Sequence, residues 1–136
     1  MRAIIALAAA VTLEAHAAVA DVKRHESIPE SLRGAWAPST AVCKDADKSI
    51  IVIAAKTYVS SVASCRVAWV SETAAARGPI YSAHLQCSKP ADEAQKMQLD
   101  VILAQKDSTH ISIGPRFSDL KDYQRCSASE QPAATR

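Results

Sequence analysis

Four histidines and four cysteines are the side chains of this 136-residue chain best suited to bind a metal or take part in catalysis. No histidine belongs to an H-x-H, H-x-x-x-H or H-E-x-x-H spacing, with which neighbouring side chains share one metal ion. His84 and His110 fall on the polar faces of predicted strands, where an exposed histidine is the ordinary outcome. His25 lies too far along the mature chain to chelate copper with an amino terminus. The histidines therefore predict no metal site.

Acidic, serine and glycine motifs point the same way. Asp45 and Asp47 resemble the start of a calcium loop, but the glycine and distal glutamate are missing and lysines flank the pair. No G-x-S-x-G motif occurs, and the three glycines are too scattered for a phosphate-binding loop. We therefore predict no catalytic, cofactor-binding or metal-ligating residue, and we expect a protein that is not an enzyme and needs no cofactor.

The four cysteines favour disulfides over a metal site. They are separated by 22, 22 and 39 residues, whereas zinc sites use close C-x₂₋₄-C pairs. An even number of cysteines in a short exported chain predicts two disulfides, with three possible connectivities. These cysteines are Cys43, Cys65, Cys87 and Cys126.

The first 20 residues predict a cleaved secretory signal. Arg2 precedes an apolar run that ends at Glu14, and Ala18-Val19-Ala20 offers small residues for cleavage before Asp21. Cleavage three residues earlier is the alternative. The apolar run is shorter than the roughly 20 residues a spanning helix needs. We therefore expect a periplasmic or secreted protein that does not associate with a membrane after signal cleavage.

The remaining 116 residues predict one domain with a modest core. Residues 21–29 are polar and predict a flexible segment, residues 30–126 a β-barrel domain, and residues 127–136 a disordered tail. The signal carries one basic and one acidic residue, so the net charge stays at +2. Such a balance gives no electrostatic case for binding nucleic acid.

Alternating apolar and polar residues predict an all-β fold. Several short strands at this spacing favour a small antiparallel up-and-down barrel or meander of about 7–8 strands. The predicted strands are Arg33–Pro38, Ser49–Ala54, Thr57–Val62, Ser64–Glu72, Pro79–Gln86, Met97–Ala104, Thr109–Gly114 and Leu120–Cys126. The composition of Ala91–Met97 favours a short helical turn.

The middle hairpin predicts how the cysteines pair. A regular antiparallel register centred on Ala76 sets Cys65 opposite Cys87, close enough for a cross-strand disulfide. The same register points Trp69 and Tyr81 inward and His84 outward. Cys43–Cys126 then follows by elimination and would join the first strand to the last. The two other connectivities remain possible, but this one is favoured.

Gly34-Ala35-Trp36, after the proline-containing stretch Ile28–Arg33, resembles the opening of calycin barrels, the superfamily of lipocalins, avidins and bacterial metalloprotease inhibitors. The resemblance implies that an arginine near the last strand packs across Trp36 and closes the barrel end, and Arg125 is the residue placed to do so. In size the chain is nearest the protease-inhibitor barrels, which act through an N-terminal segment. No motif of that kind is present in residues 21–27.

Two classes of function follow. We expect an exported, non-enzymatic binding module of unknown partner, either an inhibitor-like barrel that contacts an exported protein or a binder of a small apolar ligand. The alternative is an enzyme or stress factor whose site is not visible in sequence. That alternative gains support if His84 or His110 lies in a pocket with an acidic partner such as Asp100.

Overall fold

The computed structural model describes residues 21–46, 48–89 and 91–129. The predicted signal, Asp47 and the tail from residue 130 lie outside the described residues. The strands are β1 (Val22–His25), β2 (Gly34–Pro38), β3 (Ile51–Ile53), β4 (Thr57–Val59), β5 (Ser64–Thr73), β6 (Ile80–Lys89), β7 (Asp92–Gln105), β8 (His110–Gly114) and β9 (Lys121–Cys126). Short 3-10 helices span Glu30–Leu32, Cys43–Asp45 and Phe117–Asp119. No helix among the described residues is long and apolar enough to cross a membrane.

Strands β2 to β9 form a closed antiparallel barrel of eight strands. Each strand pairs with the next along the chain, and β9 pairs back onto β2 with Arg125 opposite Trp36. Strand β1 lies outside this ring and pairs with the second half of β5. The all-β, up-and-down prediction is confirmed, and the closed barrel is consistent with the calycin resemblance.

Alternation along the strands fills the barrel with apolar side chains. In β5 and β6, buried residues alternate with exposed or half-buried ones over most of each strand, as expected when one face is packed and the other is wetted. The largest fully buried side chains are Trp36, Ile28, Leu32, Ile53, Leu103, Ile111 and Val70. The core therefore occupies the barrel interior.

One end of the barrel is closed by the chain that leads into β2. Ile28 and Leu32 are fully buried, and the indole Nε1 of Trp36 donates a hydrogen bond of 3.0 Å to the carbonyl of Leu32. The amide of Ile28 donates to the carbonyl of Ala55 in the β3–β4 connection. Residues 21–29, for which the sequence suggests a flexible segment, thus include the paired strand β1 and a buried anchor.

Both predicted disulfides are confirmed. Cys65–Cys87 joins directly opposed residues of β5 and β6 inside the barrel. Cys43–Cys126 lies on the outer surface, where the β2–β3 connection folds back over the barrel wall. Around this second disulfide a small outer core forms from Ala35, Ala37, Ala46 and Ile50.

The helical prediction for Ala91–Met97 is wrong, because β7 already begins at Asp92. Met97 lies opposite Cys87 and Lys96 opposite Ser88 in the β6–β7 ladder. Pairing with a long neighbouring strand outweighs the modest helix preference of alanine, glutamate, glutamine and lysine.

The predicted register of the β5–β6 hairpin holds only for its first half. Cys65 pairs with Cys87 and Val67 with Leu85, but a β-bulge at Ala68 then shifts the register by one residue. Trp69 therefore lies opposite His84 rather than Ala83, and the prediction that Trp69 faces inward is wrong. Val70 takes the inward position and is fully buried. Tyr81 is buried, as predicted.

Candidate functional site

The outer wall of the barrel differs from one side to the other. On β2, β3 and β9 it is covered by the β2–β3 connection and its disulfide. On β8 the β8–β9 connection lies so close that a Cβ atom on Gly114 would stand 2.5 Å from the carbonyl oxygen of Asp119. On β4 to β7 the outward side chains, apart from the buried Ile102, are exposed or half-buried instead.

Cross-strand pairing arranges this open wall in three rows. The strand registers align outward residues across neighbouring strands, and successive rows are about 7 Å apart because two residues of a strand separate them. The first row is Val59, Ser64, Ser88 and Lys96; the second is Thr57, Arg66, Gln86 and Gln98; the third is Trp69, His84 and Asp100.

A groove follows these rows. A cavity of about 690 Å³ lies over the first two rows, and a second of about 200 Å³ lies over the third. The two cavities share Gln86 and Gln98 in their linings, so they lie next to each other along the strands and together form a depression. We call this depression the outer groove. The volume of the larger cavity alone lies within the range of small-molecule binding sites, about 300–1,000 Å³.

At one end of the outer groove, Trp69 is held between two cationic or basic side chains. The bulge at Ala68 sets the indole against the imidazole of His84, with ring centroids 3.7 Å apart and planes 20° apart. The guanidinium carbon of Arg24 lies 4.2 Å from the indole centroid. Two groups this close to one ring must occupy opposite faces. Both faces of Trp69 are therefore covered.

His84 is hydrogen-bonded to an acid on the next strand. Its Nδ1 lies 2.7 Å from Oδ1 of Asp100, directly across the β6–β7 ladder. The His84 side chain is 27 % exposed and that of Asp100 is 64 % exposed. In the tautomer with Nδ1 protonated, Nδ1 donates this hydrogen bond to Asp100 and Nε2 is left as an acceptor. Nε2 makes no hydrogen bond to a described residue.

The other end of the outer groove is basic. Arg66 and Lys96 line the larger cavity, and neither forms an ion pair with any residue in the described part of the chain. No acidic residue is among those that line this cavity, whereas Asp100 lines the smaller one. The outer groove thus has two cations and no described acidic residue at one end, and at the other end a carboxylate, Asp100, close to His84 and Arg24.

Trp36 and Arg125 meet at the closed end of the barrel. The guanidinium carbon of Arg125 lies 4.2 Å from the Trp36 ring centroid, and its nitrogens donate to the carbonyls of Ser31, Arg33 and Ser108. A Cβ on Gly34, whose φ is +136°, would stand 2.7 Å from Nη1 of Arg125. The glycine of the G-x-W pattern therefore makes room for the arginine.

The remaining histidines lie elsewhere. Nε2 of His25 is 2.6 Å from a carboxylate oxygen of Glu72, beside Tyr81, whose pKa is raised by burial and by that carboxylate. His110 is the first residue of β8, and its Nδ1 lies 3.1 Å from a carboxylate oxygen of Asp107 in the preceding turn. Among the described residues no three histidine, cysteine or acidic side chains come together as a metal site would require.

Sequence reasoning found part of this site. The sequence suggested that His84 faces outward and that Asp100 is its possible acid partner, and the structure brings the two together. The contributions of Trp69 and Arg24 were missed, because one depends on a bulge and the other on the unpredicted strand β1. Comparisons of the chain with protein-family models, with curated proteins and with solved structures return no match.

Proposed function

We propose that this protein is an exported, non-enzymatic binding module that contacts a partner protein through the outer groove. The observation that carries the proposal is the groove itself, a depression of about 690 Å³ on the side of the barrel that the β2–β3 connection leaves uncovered. Its lining is polar at the centre and charged at both ends, which suits a protein segment.

The packing of the barrel favours the outside as the binding surface. The interior is filled by the core, with Trp36, Leu103 and Ile111 at or near zero exposure. A small apolar ligand would have to displace these side chains. Inhibitor-like action through a free N-terminal segment is also disfavoured, because β1 pairs with β5 and Ile28 is buried. We therefore place protein contact at the groove.

The two disulfides support export. Both disulfides and the lack of a free cysteine among the described residues fit an extracellular or periplasmic protein. Cleavage of residues 1–20 belongs to the proposal, and N-terminal sequencing of the exported product tests it.

Site-specific photo-crosslinking in the native exporting cell tests the groove. A photoreactive amino acid replaces Gln98 in the groove, and in a matched control replaces Lys44, which is exposed on the covered side. We expect a discrete crosslinked species from position 98 that mass spectrometry identifies as one exported protein, and none from position 44. Equal crosslinking from both positions, or none from position 98, would overturn the proposal.

One observation favours a second candidate, a hydrolytic enzyme. The hydrogen bond from Asp100 orients His84 as a general base would be oriented, with Nε2 directed away from the acid. However, the cavity around His84 is lined by no serine, threonine or cysteine that could act as nucleophile, so a water molecule would have to attack. The rates at which the wild type and His84→Ala hydrolyse chromogenic acetate esters distinguish the two candidates. Equal rates favour the binding module, and a large loss of rate in the variant favours the enzyme.

A further inference from the structure

We propose that the segment bound in the outer groove is an extended peptide with an acidic side chain at one end, held between Arg66 and Lys96. The proposal rests on the proposed function and names the chemistry of the partner. It further places a hydrogen-bond donor or a basic side chain of the peptide beside Asp100. This second group is about four peptide residues from the acidic one.

The two cations are placed to share one carboxylate. Arg66 is on β5 and Lys96 on β7, one row apart, so their Cα atoms are roughly 12 Å apart at ordinary strand spacings. Both side chains are long enough to converge on a ligand between them. Neither is paired with a described acid, so a bound carboxylate displaces no ion pair within the barrel. Arginine offers two parallel donors to a carboxylate, and lysine adds a point charge.

The middle of the outer groove suits a peptide backbone. Gln86 and Gln98 are directly opposed across the β6–β7 ladder, and each amide offers both donors and an acceptor. Ser64, Ser88 and Thr57 add hydroxyls to the same lining. From Lys96 to Asp100 the strand advances four residues, or roughly 13 Å, which equals four residues of an extended peptide.

Two features argue against an anionic glycan or another uniform polyanion. Sugar rings bind to open aromatic faces, but both faces of Trp69 are covered by Arg24 and His84. Asp100 at the far end would repel a second negative charge. A peptide that carries opposite charges four residues apart matches both ends of the outer groove.

Nuclear magnetic resonance titration with defined peptides tests this inference. The probe is a seven-residue serine-rich peptide with glutamate at position 2 and lysine at position 6, blocked at both ends, and its matched control has glutamine at position 2. We expect the glutamate peptide to bind about tenfold more tightly, the loss expected when a charged hydrogen bond is removed. The shifted signals should include the side-chain amides of Gln86 and Gln98.

Charge variants identify the ends of the outer groove. Arg66→Gln and Lys96→Gln should each weaken binding of the glutamate peptide by up to about tenfold and leave the glutamine peptide unaffected. Arg77→Gln and Lys121→Gln remove the same charges at exposed positions outside the groove and should change neither. Asp100→Asn should weaken binding only when position 6 is lysine.

Three outcomes would overturn the inference. They are equal binding of the glutamate and glutamine peptides, shifts outside the outer groove, and tighter binding of an oligogalacturonate than of the glutamate peptide, which would indicate an anionic glycan. The photo-crosslinking result is independent. If position 98 still captures its partner in the Arg66→Gln, Lys96→Gln double variant, the groove remains a protein-binding surface and only the acidic preference fails.

Discussion

Two tryptophans in this barrel each lie beneath an arginine, at the same 4.2 Å from guanidinium carbon to ring centroid. Trp36 is fully buried, and Arg125 above it donates to three backbone carbonyls in two separate stretches of chain. Trp69 is half-buried on the outer wall, and Arg24 above it donates to no described residue. The same stacking contact therefore occurs once at the buried end of the barrel and once on its outer wall.

The difference shows that the stacking contact alone does not reveal a residue's role. A cation over an aromatic ring contributes about 0.5–1 kcal/mol when exposed and about 2 kcal/mol or more when desolvated. At Trp36 the arginine also satisfies carbonyls at the closed end of the barrel, so its contribution is structural. At Trp69 the ring and its two neighbours lie at one end of the outer groove. We therefore expect the first pair to determine stability and the second to affect binding.

Truncation of the two indoles should separate these roles most clearly. Trp36→Ala should lower the free energy of unfolding by about 3–5 kcal/mol, because it empties a large volume in the core. Trp69→Ala should lower it by about 1 kcal/mol or less. Urea unfolding followed by circular dichroism, with disulfides intact, measures both. If Trp36→Ala does not fold, Trp36→Phe supplies the comparison, and equal losses at the two positions would contradict the distinction.

Substitution of the two arginines should also lower the free energy of unfolding more at the closed end than at the outer groove, but by smaller amounts than substitution of the tryptophans. Arg125→Met keeps the aliphatic stem but removes the three nitrogens that donate to backbone carbonyls. It should lower the free energy of unfolding by about 2 kcal/mol. Arg24→Met removes only an exposed stacking contact and should cost about 0.5 kcal/mol. The same urea titrations test this. Arg125→Lys should fall between wild type and Arg125→Met, because a lysine cannot reproduce the planar fork. A loss at Arg24 as large as that at Arg125 would show that β1 is held mainly by its arginine.

Deletion of Ala68 tests why Trp69 is on the outside. Ala68 is the extra residue of the bulge, so its removal leaves a regular ladder with Val67 and Val70 inward and Trp69 still outward. The deletion variant should then fold with a loss of about 1–2 kcal/mol or less. Fluorescence in a Trp36→Phe background reports on Trp69 alone, and the deletion should leave its emission maximum unchanged. A blue-shifted emission would mean that Trp69 has moved into the core.

This bulge also marks where prediction from the sequence fails. Alternation correctly opposed Cys65 to Cys87, because the strands are regular from the disulfide to Val67. Beyond Ala68 the same alternation predicted the wrong face for each residue of β5. A bulge adds one residue to a single strand and leaves no clear sign in the pattern. Trp69 and Val70 are both apolar, so composition could not decide between them.

The first strand was missed for a different reason. Lys23, Arg24 and His25 are polar, as an exposed edge strand requires, and a polar segment at the start of a chain equally suits a flexible one. Its anchor, Ile28, lies outside the strand. The Arg24 contribution to the site could therefore not be predicted, whereas His84 and Asp100 lie on regular strands and could.

Acid should weaken the closed end through the turn that supports Arg125. Ser108 and Thr109 in this turn accept hydrogen bonds from the Arg125 side chain and amide, and the Thr109 amide and hydroxyl hold the pKa of Asp107 at about 2. Because the pKa is lower in the folded chain than the ordinary value of 3.8, the Asp107 contribution is present above about pH 4 and is lost as the pH falls towards 2.

We therefore expect the wild type to be slightly more stable than Asp107→Asn at pH 6, with a difference that shrinks as the pH falls towards 2 and disappears below it. A protonated carboxyl accepts hydrogen bonds much as the asparagine amide does, which is why the two proteins converge. Urea unfolding at pH 6, 4 and 2.5, followed by Trp36 emission in a Trp69→Phe background, measures the difference at the closed end. A difference that stays constant with pH would mean that the ionised form of Asp107 does not hold the turn, and that Arg125 is positioned by the strands alone.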